Sequence, residues 1–162
     1  MLGALALVLL IVSGVPIALD VVAGDMIMPD SRLYLVEKFG EMEKLAIIGV
    51  LMGDSGRGRE MVRLAEERVE EVAYCLQNGM LDKAMKSMWE WGKLINMSLS
   101  LALKSNCSYC ALRVYNATNR HIQILKGLSG TVPAEDLERV LNVAYRGRDI
   151  AYAVLTRIGK TS

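Results

Sequence analysis

Met61-Val-Arg-Leu-Ala-Glu-Glu-Arg-Val-Glu-Glu-Val-Ala-Tyr-Cys-Leu76 returns an apolar residue every three or four positions. Met61, Leu64, Ala65, Val69, Val72 and Leu76 share one side of a helix, and Glu66, Glu67, Glu70 and Glu71 fall largely on the other. A strand would alternate at every second residue, and this stretch does not. The helical period continues in both directions. Upstream, residues 33–52 read as a helix that Asp30 or Ser31 can cap, and Gly53-Asp-Ser-Gly-Arg-Gly58 is a glycine-rich link that separates it from the helix at 59–78, which stops at Gly79. Downstream, residues 81–104 repeat Leu81, Ala84, Met85, Met88, Trp91, Ile95, Leu99 and Ala102 on one face, with Trp89 on another. A fourth helix covers 107–128, nearly continuous with the third around Ser105 and Asn106. A fifth covers 133–158, with Pro133, Glu135 and Asp136 suited to its first turn and Leu137, Leu141, Ala144, Ala151, Leu155 and Ile158 as its buried stripe. No segment alternates between hairpin turns. The expected fold is all-α: an antiparallel bundle of four to five helices behind an N-terminal hydrophobic signal or anchor helix.

That leader is read from charge. Residues 1–19 carry no charged side chain and the first basic residue is Arg32. As a helix, such a run covers roughly 28 Å, close to the hydrocarbon thickness of a bilayer. Three readings fit. In a cleaved signal peptide, Val22-Ala23-Gly24 offers small residues before Asp25, although no lysine or arginine stands at the N-terminus. In an uncleaved membrane anchor, the acidic flank of Asp20, Asp25 and Asp30 is translocated together with the body. The third is a buried helix of a soluble domain. The expected division is residues 1–24 as signal peptide or anchor and 25–162 as an extracytoplasmic helical domain, secreted or membrane-anchored. Asn96-Met-Ser98, Asn106-Cys-Ser108 and Asn116-Ala-Thr118 are N-glycosylation sequons that agree with export and require each asparagine to face solvent.

Formal net charge is +1, with acids and bases interspersed. Phosphate binding draws on a basic excess on one face, so nucleic acid is not an expected partner. Arg139, Arg146, Arg148, Arg157 and Lys160 enrich the last segment, which reads as a solvated face. Glutamine appears only at Gln77 and Gln123, a lean toward a thermophilic, archaeal-like composition.

Two polar residues interrupt apolar rows. His121 lies in the row Val114, Thr118, His121, Leu125, Leu128, and Arg148 in the row Leu141, Ala144, Arg148, Ala151, Leu155. Both rows are expected to face the core, where a buried arginine needs a carboxylate such as Glu67 or Glu70. The pair is either a polar pocket for a ligand or metal, or a hydrogen-bonded histidine with an arginine that snorkels to the rim. One histidine without clustered ligands makes a poor metal site, and no metal or cofactor is expected. Cys107-Ser-Tyr-Cys110 suits a local disulfide in an oxidising compartment or two small core residues, with Cys75 either free or a third candidate for pairing. At a helix start it could also support redox chemistry, although the strand that precedes such motifs in thiol oxidoreductases is missing. Gly53-Asp-Ser-Gly56 is similar to a serine-protease nucleophile loop but lacks a base, and Gly159-Lys-Thr-Ser162 has Val154 where a phosphate-binding loop needs glycine.

Pro29-Asp-Ser-Arg-Leu-Tyr34 resembles the opening of a family of exported bacterial and archaeal helical domains of unknown function, in which a Pro-x-Ser-x-Leu-Tyr segment follows the signal sequence. Arg63-Leu-Ala-Glu-Glu-Arg-Val-Glu-Glu71 is similar to that family's acidic second helix. His121-Ile-Gln-Ile-Leu125, Val132-Pro133 and Arg146-Gly-Arg148 resemble its His-x-x-x-Leu, Val-Pro and Arg-Gly-Arg pattern. The family's usual lysine three residues after the tyrosine is replaced by Glu37. The resemblance implies a helical, extracytoplasmic protein and brings no activity with it.

The functional expectation is a non-enzymatic envelope protein that binds other proteins or copies of itself, as in a filament or shell subunit. It would touch the membrane through the N-terminal helix and pack there by Gly3, Ala4, Ala6, Ser13 and Gly14. The rival is an exported thiol-redox or small-ligand and metal-sensing domain using Cys107, Cys110 and His121.

Overall fold

A computed structural model describes residues 34–160, which form four helices: α1 (Tyr34–Gln77), α2 (Leu81–Lys104), α3 (Ser108–Lys126) and α4 (Ala134–Gly159). The chain divides into two compact units, Met1–Leu51 and Met52–Ser162, and α1 runs through the division. The glycine-rich link expected at 53–58 is a break of one residue. Gly53 has φ 65° and ψ −167°, a conformation open essentially to glycine, and the helix resumes at Asp54. The remaining small residues stay helical and bring α1 against α2, where the Gly58 carbonyl accepts a hydrogen bond from Ser98 Oγ at 3.0 Å.

In the second unit the late part of α1 and the other three helices share one core. Val69, Val72 and Leu76 meet Met88, Trp91 and Ile95 of α2, Val114, Ile122 and Leu125 of α3, and Val140, Ala144 and Ala151 of α4. The result is an all-α four-helix bundle. Its first turn closes where the sequence marks it. Gly79, at φ 68°, lets the Met80 amide reach back to the Cys75 carbonyl at 2.8 Å and its own amide reach Leu76 at 3.1 Å, the paired bonds of a Schellman cap. The near-continuity expected around Ser105 and Asn106 is replaced by a second cap of this kind. Asn106 takes φ 48°, Cys107 N–H donates to the Ala102 carbonyl at 2.9 Å, and Asn106 N–H donates to Leu103 at 3.1 Å. Asparagine tolerates the left-handed region better than other non-glycine residues, so it can end a helix as glycine does.

Among the described residues, no helix is long and apolar enough to cross a membrane. The physical reason is charge spacing. Even α2, with the length to span a bilayer, carries Asp82, Lys83, Lys86, Glu90, Lys93 and Lys104 along its exposed side. The expectations of a transmembrane anchor, of membrane-anchored localisation and of a membrane partner through an N-terminal helix are corrected accordingly. Residues 1–24, where the signal or anchor was placed, lie outside the described residues, and no described helix takes that role.

Candidate functional site

Three places in the fold carry chemistry or unsatisfied surface. The first is buried between the helices of the bundle. Arg68 on α1 is fully buried, as are Ser87 and His121, and Glu71 is 2% exposed. Arg68 Nη1 donates to Glu71 Oε1, and Ser87 Oγ donates to Glu71 Oε2 at 2.9 Å, which ties α1 to α2. One turn beyond Ser87, Trp91 Nε1 donates to His121 Nδ1 at 2.9 Å and ties α2 to α3. Because Nδ1 accepts, the ring proton belongs on Nε2, which is buried without an acceptor. Burial, with Arg120 adding a like charge nearby, pushes the His121 pKa down to about 4, so the ring is neutral at pH 7. Trp91 also reaches α4, where the rim of its six-membered ring occupies the space that a Cβ on Gly147 would need.

This layer relocates the arginine expected in the core. Arg148 sits at the rim with a side-chain exposure of 34%, pairs with Asp149 at 2.7 Å and lies over the Tyr145 ring, while Gly147 beside it takes the core position. The fully buried arginine is Arg68, set in sequence among Glu66, Glu67, Glu70 and Glu71. Its signal was available: Arg68 lies four residues from both Leu64 and Val72, on the apolar stripe itself.

The second place is the N-terminal end of α3. Cys107 and Cys110 are joined by a disulfide, and Cys107 Sγ also caps the helix by accepting from the Cys110 amide at 3.1 Å. Cys75 is buried in the core, outside any disulfide. Cys110 lines a small cleft of about 30 Å³ together with Asp54, Ser55, Arg59, Tyr109 and Arg113, and Ser55 Oγ is 4.0 Å from its sulfur. His121 is eleven residues farther along α3, a separation of roughly 16 Å along the axis, so it does not join the cysteines in one site. Among the described residues, no three histidine, cysteine, aspartate or glutamate side chains gather to hold a metal ion. Asn96, Asn106 and Asn116 are all exposed, on α2, in the α2–α3 link and on α3.

The third place is in the first unit. Over residues 38–51 of α1, Glu41 and Leu45 are buried, whereas Phe39 (52% exposed), Met42 (70%), Ala46 and Val50 (86%) form an exposed row. Their spacing of three, four and four residues is that of one face of an α-helix, whose period is about 3.6. Ile47 and Leu51 widen the row on one side. That this apolar row faces outward is not contained in its periodicity, which marks a stripe and not what covers it. Compared with known protein families, curated proteins and solved structures, the chain matches none.

Proposed function

We propose that this protein acts by association rather than catalysis, and that a second copy of the chain packs on the exposed row Phe39, Met42, Ala46, Val50. The observation that carries this reading is the row itself: large apolar side chains left in water at the spacing by which one helix receives another. A copy of the same helix fits because an apolar helix face can pack on its own two-fold mate and the flanking Lys38, Glu43 and Lys44 mix both signs of charge. Phe39, Met42, Ile47, Val50 and Leu51 offer on the order of 500 Å² per copy, below the roughly 800 Å² per partner of a standard interface. The pairing is therefore weak and concentration-dependent. Sedimentation velocity of the full chain across a concentration series tests it. A reversible dimer that is lost in Val50→Glu supports the reading; a monomer at every concentration, or a dimer indifferent to Val50→Glu, overturns it.

A further inference from the structure

The cleft beside Cys110 is arranged for a reaction that the association reading does not use. We infer that the Cys107–Cys110 disulfide is opened by small thiols and that the cleft selects thiols carrying a negative charge. Cys110 lines the cleft and Cys107 does not, so a thiol that enters the cleft meets the sulfur of Cys110. Two cations border the same space, Arg59 and Arg113. Neither has a carboxylate partner among the described residues, and Arg113 lies 6.0 Å over the Tyr109 ring. The carboxylate in the cleft wall, Asp54, is held by Lys104 at 3.0 Å, which offsets its charge. Nor does the first turn of α3 carry an acidic residue to counter the positive end of that helix. An anionic thiol entering here meets an uncompensated positive field, and the small volume admits a short chain in preference to a protein thiol.

The leaving group is also provided for. In the first step an external thiolate attacks Cys110 Sγ, the new sulfur–sulfur bond forms as the bond to Cys107 breaks, and the electron pair leaves on Cys107 Sγ. That sulfur already accepts the Cys110 amide hydrogen at 3.1 Å, a contact that holds a thiolate better than a thiol. A second thiolate then attacks the external sulfur of the mixed disulfide and releases Cys110 as a thiolate. Two thiols become one external disulfide, and the protein disulfide becomes a dithiol. His121, distant in the core, takes no part.

The test is the rate at which the native, full-length protein's disulfide opens with mercaptopropionate, 2-mercaptoethanol and cysteamine, read by thiol-trapping mass spectrometry and expressed per thiolate. Mercaptopropionate is expected to react roughly five-fold faster than 2-mercaptoethanol, and cysteamine slower than both. The spread should collapse in about 1 M salt and in the double variant Arg59→Gln, Arg113→Gln. Equal rates, a disulfide inert to all three thiols, or a spread that salt leaves unchanged would overturn the inference. If the double variant does not fold, the salt series on the unaltered chain decides alone.

Discussion

Trp91 dictates what can stand opposite it. A Cβ on residue 147 would lie 2.4 Å from Trp91 Cη2 and 2.8 Å from Cζ3, well inside contact distance, and the indole is held by its bond to His121. Gly147→Ala should therefore cost about 2 kcal/mol in urea denaturation, overpacking outweighing the gain in helix propensity. Gly92 supplies the control, because nothing lies within 4 Å of its would-be Cβ. Gly92→Ala should raise stability by roughly 0.5–1 kcal/mol through propensity alone. His121 gives the residue scale a pH signature. Its folded-state pKa of about 4 lies below the ordinary 6.5, so the unfolded chain binds the proton first as pH falls. Its contribution to stability is complete above pH 6.5 and is lost progressively toward pH 4, on the order of 3 kcal/mol in all. Carboxylates titrate in the lower part of that window, so the measurement is a difference. The urea midpoint of the unaltered chain should fall more steeply between pH 6.5 and 4.5 than that of His121→Asn, and parallel curves would refute the assignment.

At the scale of elements, α1 and α2 are joined across the core by the carboxylate of Glu71, which receives Arg68 from its own helix and Ser87 from the next. Removing one member of a buried ion pair strands the other, whereas replacing both with apolar groups need not destabilise. Arg68→Met should cost about 3–5 kcal/mol, and Arg68→Met with Glu71→Leu should recover most of it, in chemical denaturation of the two variants side by side. The same elements show what could be read from sequence. The helices at 81–104, 107–128 and 133–158 agree with α2, α3 and α4 to within two residues at each end, because their apolar rows are long and Gly79 and Pro133 punctuate them. The link is shorter than the 53–58 composition suggests, because the conformation needs a glycine only at Gly53. Arg68 is hard to read because the four glutamates beside it in sequence mark the stretch as polar, although it lies on the stripe between Leu64 and Val72. Arg148 lies at the rim, and Gly147, which has no side chain to signal burial, holds the core position next to it. The exposed row of α1 and the cleft beside Cys110 depend on which surfaces meet in three dimensions, and periodicity along one helix does not contain that.

At the scale of the whole molecule, stability and association belong to different parts of the chain. The shared hydrophobic core draws its buried members from Val62 onward, and Trp91, His121, Arg68 and Glu71 all lie in the unit Met52–Ser162. A chain of that length buries enough apolar surface to fold alone. The exposed row proposed to receive a second copy lies in the first unit, ending at Leu51. The fragment 52–162 should therefore unfold cooperatively, keep the near-ultraviolet signature of a tryptophan fixed in a packed core, and sediment as a monomer at concentrations where the full chain associates. The two readouts separate two failures. A fragment that is unfolded would mean that residues before Met52 complete the core; a folded fragment that still associates like the full chain would place the interface on the bundle and remove the outward row of α1 from the explanation.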